Sequence, residues 1–255
     1  MGTVDFRQGD YRTVADRLRP AAEQLVAWCA PGPGELVVDI AAGNGNVARQ
    51  CAERGADVVA VDLVLELLRL GREDGPGVDW IAGDAHALPL RDGVAELALS
   101  TFGVIYADRP GDAVRELGRV CRSGGRIGLA TWPKGGYQEG AAVALREVAG
   151  VDNGGHDHIA VWGDAEQIEA RLAAVADDVE VREGALDATF PSLTEWWRSR
   201  STTTPSIVSA MSRLDEDGRA ALAQRYLDVA AECGSQTDDG FTLHDTYLVA
   251  LARVR

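Results

Sequence analysis

Val37-Val38-Asp39-Ile40-Ala41-Ala42-Gly43-Asn44-Gly45-Asn46 decides the fold of this 255-residue chain. Leu36 to Ile40 is a short apolar run interrupted only by Asp39, the pattern of a strand buried on both faces. Before it, Pro31-Gly32-Pro33-Gly34 ends a helix over 12–30, in which Leu18, Ala21, Ala22, Leu25, Val26 and Cys29 recur at helical spacing. After it, Gly43 and Gly45 lack side chains, so backbone can approach a ligand closely. A helix over 46–54 follows, and its first turn offers unbonded N–H groups. In an open parallel sheet, ligands bind at such a strand end, where the strand order reverses.

The same alternation continues outward. Gly55 caps the second helix, and Val58–Asp62 is a second buried strand. A helix over 64–72 carries Leu65, Leu68 and Leu70. Val78–Ile81 is a third strand and Glu96–Ser100 a fourth. A helix over 110–121, the turn Ser123-Gly124-Gly125 and a fifth strand, Arg126–Ala130, complete the series. Strand and helix at this spacing predict an α/β, doubly wound, mostly parallel sheet. Beyond Trp132 the pattern changes: a helix over 139–149, a polar loop over 150–158, a helix over 164–174 and a strand over 178–190. Residues 192–233 read as mostly helical, and Phe241 to Val254 as one long final strand. A single domain over 1–255 is expected, with a cofactor-binding half (1–132), substrate-side insertions and a lid (133–240), and the last strand (241–255).

Composition narrows the function. A net charge of −15 repels phosphate backbones and anionic lipid, which disfavours nucleic acid and membrane partners. Cys29, Cys51, Cys121 and Cys233 form no C-x-x-C pair and lie near no His at ligand spacing, so neither a metal site nor a disulfide framework is expected. The N-terminus shows no signal pattern and no apolar run reaches the length of a membrane span, which reads as a cytoplasmic protein.

Two cofactors fit the glycine turn. Gly43-x-Gly45-x-x-Ala48 matches a dinucleotide fingerprint, and Asp62 lies about twenty residues on, where a ribose contact belongs for either ligand. Asp39 tips the choice: a carboxylate there crowds a pyrophosphate but suits the cationic amino-acid end of S-adenosylmethionine. Gly83-Asp84-Ala85 places a carboxylate after the third strand, able to accept from an adenine amino group. The late strand after a helical insertion replaces a second nucleotide-binding half.

On these residues, together with Asp84-Ala85-His86-Ala87-Leu88-Pro89, Leu99-Ser100-Thr101-Phe102-Gly103 and Ser123-Gly124-Gly125-Arg126, the sequence resembles the class I S-adenosylmethionine-dependent methyltransferases. Within them it is similar to the small-molecule group akin to ubiquinone and menaquinone methyltransferases. The resemblance implies a Rossmann-like seven-stranded sheet with a helical lid before the last strand. It implies that Asp39, Ala41, Gly43 and Gly45 hold the methionine moiety, that Asp62 takes the ribose hydroxyls and that Leu63 lies against adenine. It gives Asp84 and Ala85 the adenine edge, and sets Thr101 and Phe102 along the site. Ala41 stands where many relatives have Gly, and Ser123 where Pro is usual.

Methyl transfer chiefly needs alignment of nucleophile and methyl with water excluded, and a base where the acceptor is a hydroxyl or acidic carbon. His156 and His158 titrate in the useful range, although a polar surface loop accounts for them more simply. Tyr11 and Tyr106 read equally as packing residues or as groups reaching the transfer centre. Trp132, Trp162, Trp196 and Trp197 suggest an aromatic cavity, with one of the adjacent pair in the core and the other lining a pocket. The expected reaction is methylation of a small hydrophobic metabolite, of the kind found in secondary metabolism. The alternative is a cyclisation or rearrangement, for instance pericyclic, of a polyketide-like substrate on the same fold. A dimer is compatible with the sequence, which does not set the oligomeric state.

Overall fold

The computed structural model describes residues 9–151 and 158–255. In chain order the first half runs α1 (Tyr11–Cys29), β1 (Leu36–Ile40), α2 (Asn46–Glu53), β2 (Asp57–Asp62), α3 (Leu65–Glu73), β3 (Val78–Ala82), β4 (Ala95–Thr101), α4 (Pro110–Val120) and β5 (Cys121–Thr131). Then come α5 (Tyr137–Ala149), α6 (His158–Trp162), α7 (Ala165–Leu172), β6 (Ala176–Ala185), β7 (Ala188–Phe190), α8 (Leu193–Thr203), α9 (Pro205–Met211) and α10 (Glu216–Cys233). Three strands close the chain: β8 (Gly234–Thr237), β9 (Gly240–Leu243) and β10 (Thr246–Val254).

Seven strands form the main sheet in the order β3-β2-β1-β4-β5-β10-β6. β10 alone runs antiparallel to its neighbours, Leu248 opposite Thr131 and Thr246 opposite Ala185. The doubly wound reading therefore holds. The order reverses between β1 and β4, which places Asp39 at the switch point where ligands bind in such sheets. Leu25, Ile40, Leu97, Leu99, Ile127 and Leu129 are fully buried in the core of this sheet, each contributing about 1.5–3 kcal/mol by burial.

A second core, the cap, is built by elements that follow β5. Tyr137, Trp196, Ile207, Leu222, Tyr226 and Phe241 belong to it, drawn from α5, α8, α9, α10 and β9. Trp196 is fully buried there, and Trp197 packs against the same core with its ring on Tyr226. Both Trp rings thus pack with this cap.

Two strand expectations are corrected. The run Phe241–Val254 is not one strand: β9 joins a small antiparallel sheet, β7-β9-β8, and β10 joins the main one. The run 178–190 divides the same way into β6 and β7. The two crossings lie side by side, because Leu186 N–H donates to Asp245 O at 2.6 Å. Asp245 is 2% exposed, held by Gln138 Nε2 at 2.5 Å and faced by Arg17 at 3.6 Å, so the chain turns inward there. The expected turn at Ser123-Gly124-Gly125 is taken up into β5, with Gly124 at φ +71° and a register shift against β4. Among the described residues, no helix is long and apolar enough to cross a membrane.

Candidate functional site

Asp39 is the penultimate residue of β1, a strand flanked on both sides, so its carboxylate is buried, 2% exposed. Ala48 N–H, in the first turn of α2, donates to its Oδ2 at 3.0 Å. Burial outweighs that bond, and the nearby Asp62 carboxylate adds to it, so the Asp39 carboxyl is pushed up to about 8. Asp62 ends β2 and is also buried; burial pushes it up against N–H bonds from Val64 to Oδ1 and from Gly43 to Oδ2, both 2.8 Å. Two buried acids beside one glycine turn, with Arg49 opposing in charge at Asp39, form a place whose electrostatics call for a cation.

The turn is shaped by two aromatic rings. Gly43 (φ +59°) lies under the Tyr11 hydroxyl, and a side chain at 43 would collide with it. Gly45 (φ +85°) faces the ring of Trp80, which also fills the space beside helical Gly71. Gly45 therefore has a packing reason besides ligand approach, and Trp80 is a site residue that sequence reading passed over. Ala41 sits at φ +55°, in the left-handed region that glycine adopts more readily. Gly103 packs directly against it.

Around the rim, Leu63 is 71% exposed immediately after Asp62, an uncovered apolar surface at a strand end. Asp84 lies on the loop after β3, and its Oδ1 receives His86 N–H at 2.9 Å and contacts His86 Nδ1 at 2.6 Å. The His86 N–H bond holds Asp84 below the usual carboxylate range, with the ring contact assisting. Ala85 is half-buried between them. Thr101, at the end of β4, has a buried hydroxyl with no partner among the described residues. Phe102 turns at φ +56° and stacks on Trp132, ring centroids 3.8 Å apart.

Of the four candidate proton-handling residues, three come together and His156 lies outside the described residues. Tyr106 packs its ring against that of buried His158, centroids 4.7 Å apart. Tyr11 lies within electrostatic reach of Tyr106, Asp39 and Asp62. Burial raises both phenols, the two carboxylates add to this at Tyr11, and Trp132 and Arg17 oppose it at Tyr106. Both phenols are therefore neutral near pH 7. His244 lies between β9 and β10, in contact with Ser235 Oγ and Asp187.

The raised Asp39 carboxyl has a measurable consequence. The folded, ligand-free chain holds this proton more tightly than the unfolded chain. Its stabilising contribution is therefore full below the ordinary carboxylate range and is lost as pH rises through about 8. Urea unfolding from pH 4 to 8 should show a falling component that Asp39→Asn removes; identical slopes for the two proteins would contradict the placement of this acid.

A family model described as "Methyltransferase domain" matches residues 38–129. An uncharacterized protein of Mycobacterium tuberculosis is 34% identical over 183 residues, covering 70% of this chain and 67% of that protein. A demethylmenaquinone methyltransferase of Renibacterium salmoninarum is 40% identical over 98 residues, 38% of this chain and 41% of that enzyme. Among solved structures, the YcgJ protein of Bacillus subtilis superposes with a TM-score of 0.59 at 15% identity, covering 92% of this chain and 99% of that one. The chain belongs to the class I methyltransferases.

Proposed function

We propose that this chain binds S-adenosylmethionine and uses it to methylate a small hydrophobic metabolite. The observation that carries the reading is Asp39: a buried carboxylate at the switch point, raised to about 8. Such an acid is costly to bury unless a cation faces it. The residues present suit this cofactor. Asp39 would hold the ammonium of its amino-acid end, within the turn of Ala41, Gly43 and Gly45. Each Asp62 oxygen accepts one backbone N–H and keeps a lone pair for a ribose hydroxyl. Exposed Leu63 offers an apolar face to adenine, Asp84 and Ala85 its polar edge. The unpartnered Thr101 hydroxyl and Phe102 border the site.

When bound, the cofactor supplies an electrophilic methyl group carried on sulfur. The protein's share is to align an acceptor, exclude water and take a proton where the acceptor loses one. Tyr11 bridges the cofactor side and the Tyr106–His158 pair. In this reading the neutral phenols donate hydrogen bonds that orient the acceptor, and His158 or His156 accepts the proton.

The test is incubation with methyl-labelled S-adenosylmethionine and a panel of quinols, phenols and polyketide-like compounds. A product carrying label and one added methyl mass supports the reading. A product of unchanged mass and altered ring connectivity supports cyclisation instead. Tyr106→Phe should lower kcat about tenfold, the scale of one lost hydrogen bond, with cofactor affinity unchanged; an unaltered kcat would remove Tyr106 from the centre.

A further inference from the structure

Arg17 is a partly buried charge and Arg200 a buried one, and the cofactor site uses neither. Arg17, on α1, is 18% exposed in its side chain, and Arg200, on α8, is 5% exposed. Their only close carboxylate among the described residues is Asp245, whose Oδ2 stands 3.6 Å from Arg17 Nη1 and accepts from Gln138 Nε2. Arg17 Nε, Arg200 Nε and Asp245 Oδ1 are buried without hydrogen-bond partners among the described residues. Two guanidiniums against one carboxylate leave a net positive charge in a poorly solvated place. Such a charge is costly unless an anion joins it. Burial pushes the Arg200 guanidinium down to about 10, with Arg17 pushing the same way, the mark of two like charges sharing the space.

The cluster has an opening. A cleft of about 400 Å³ is lined by both arginines and by Thr13, Leu186, Phe190 and Ser199, where the two chain crossings meet. Phe190 lies beneath the Arg200 guanidinium, 5.9 Å from its ring centre, and gives the cleft an apolar wall. Asp16 and Asp187 also line it and are well exposed, so the rim disfavours a multiply charged ligand. The arginines connect to the proposed acceptor side as well: Arg17 is within electrostatic reach of Tyr106, and Arg200 of Tyr137 and Tyr226.

We propose that Arg17 and Arg200 bind a single carboxylate on an otherwise apolar acceptor, entering by the cleft between α1, α8 and the β6–β7 crossing. This rests on the acceptor reading above and makes it specific: the substrate is an apolar acid. A guanidinium pair matches a carboxylate in geometry, and one anion neutralises the cluster.

The test compares 2-naphthoate with 2-naphthamide, equal in shape and unequal in charge, by calorimetry on the full chain. The acid should bind about tenfold tighter than the amide or better, the scale of a charge-assisted hydrogen bond. Arg200→Met and, separately, Arg17→Gln should each level the two affinities. Arg200→Lys should restore part of the preference. S-adenosylhomocysteine affinity, measured alongside, should be unchanged in every variant, which certifies the fold and tests the cofactor reading independently. Equal binding of acid and amide, binding of neither at millimolar concentration, or an acid preference that survives both substitutions overturns the proposal. Loss of S-adenosylhomocysteine binding by the unmodified protein, with the acid preference intact, overturns only the cofactor reading.

Discussion

Asp39→Asn is expected to weaken S-adenosylmethionine binding by about 3 kcal/mol, roughly a hundredfold, while leaving the fold as stable as before or firmer. The two halves of this expectation come from one fact. In the ligand-free chain the Asp39 carboxyl is raised to about 8, so near neutrality it is largely protonated and resembles an amide in charge and shape. Asparagine keeps an oxygen for Ala48 N–H and removes the cost of a buried anion. Facing a cation, however, the carboxylate must ionise, and asparagine cannot. Calorimetry and thermal melts on the same preparation separate the effects. Lost binding together with a melting temperature lower by many degrees would mean that Asp39 is a structural acid, not a cofactor ligand.

Trp80→Ala should cost about 3–5 kcal/mol, among the largest effects of any single truncation in this chain. Its ring supports the Gly45 turn on one side and fills the space over Gly71 of α3 on the other. A double-mutant cycle tests this. With Trp80 present, Gly71→Ala forces its new methyl into the ring and should destabilise by about 1–3 kcal/mol. In the Trp80→Ala background the same change meets no ring and should stabilise by up to about 1 kcal/mol, through helix propensity. Denaturant unfolding of the four proteins gives the coupling; additive costs would show that the ring does not rest on Gly71.

The cofactor side of the molecule was legible because local signals there agree. An apolar run ending in Asp39, a glycine turn and a helix start all lie within one short stretch, and Asp62 and Asp84 repeat the strand-end acid at the next two strands. The cap was less legible. Period-two apolar spacing runs through Phe241, Leu243, Tyr247 and Val249 and is interrupted only at Asp245, a single polar position that does not by itself reveal a change of sheet; the long-range contacts of Arg17 and Gln138 with Asp245 accompany the change. One signal was present: Arg17 falls one and two turns before Ala21 and Leu25, on the buried stripe of α1. Arg200 likewise follows buried Trp196 by one turn of α8. A charged residue on an apolar stripe implies a buried partner or a ligand, and here it marks the cleft. Trp80 was missed because a strand tryptophan reads as ordinary core, and only the structure shows which glycines accommodate it.

The most direct test of the cofactor assignment is calorimetric titration of the unmodified protein with S-adenosylmethionine near pH 7, in two buffers of different ionisation enthalpy. Binding with net proton release is predicted, because the cofactor's cationic end lowers the raised Asp39 carboxyl and expels its proton. The absence of binding, or binding with no proton released, would contradict the account.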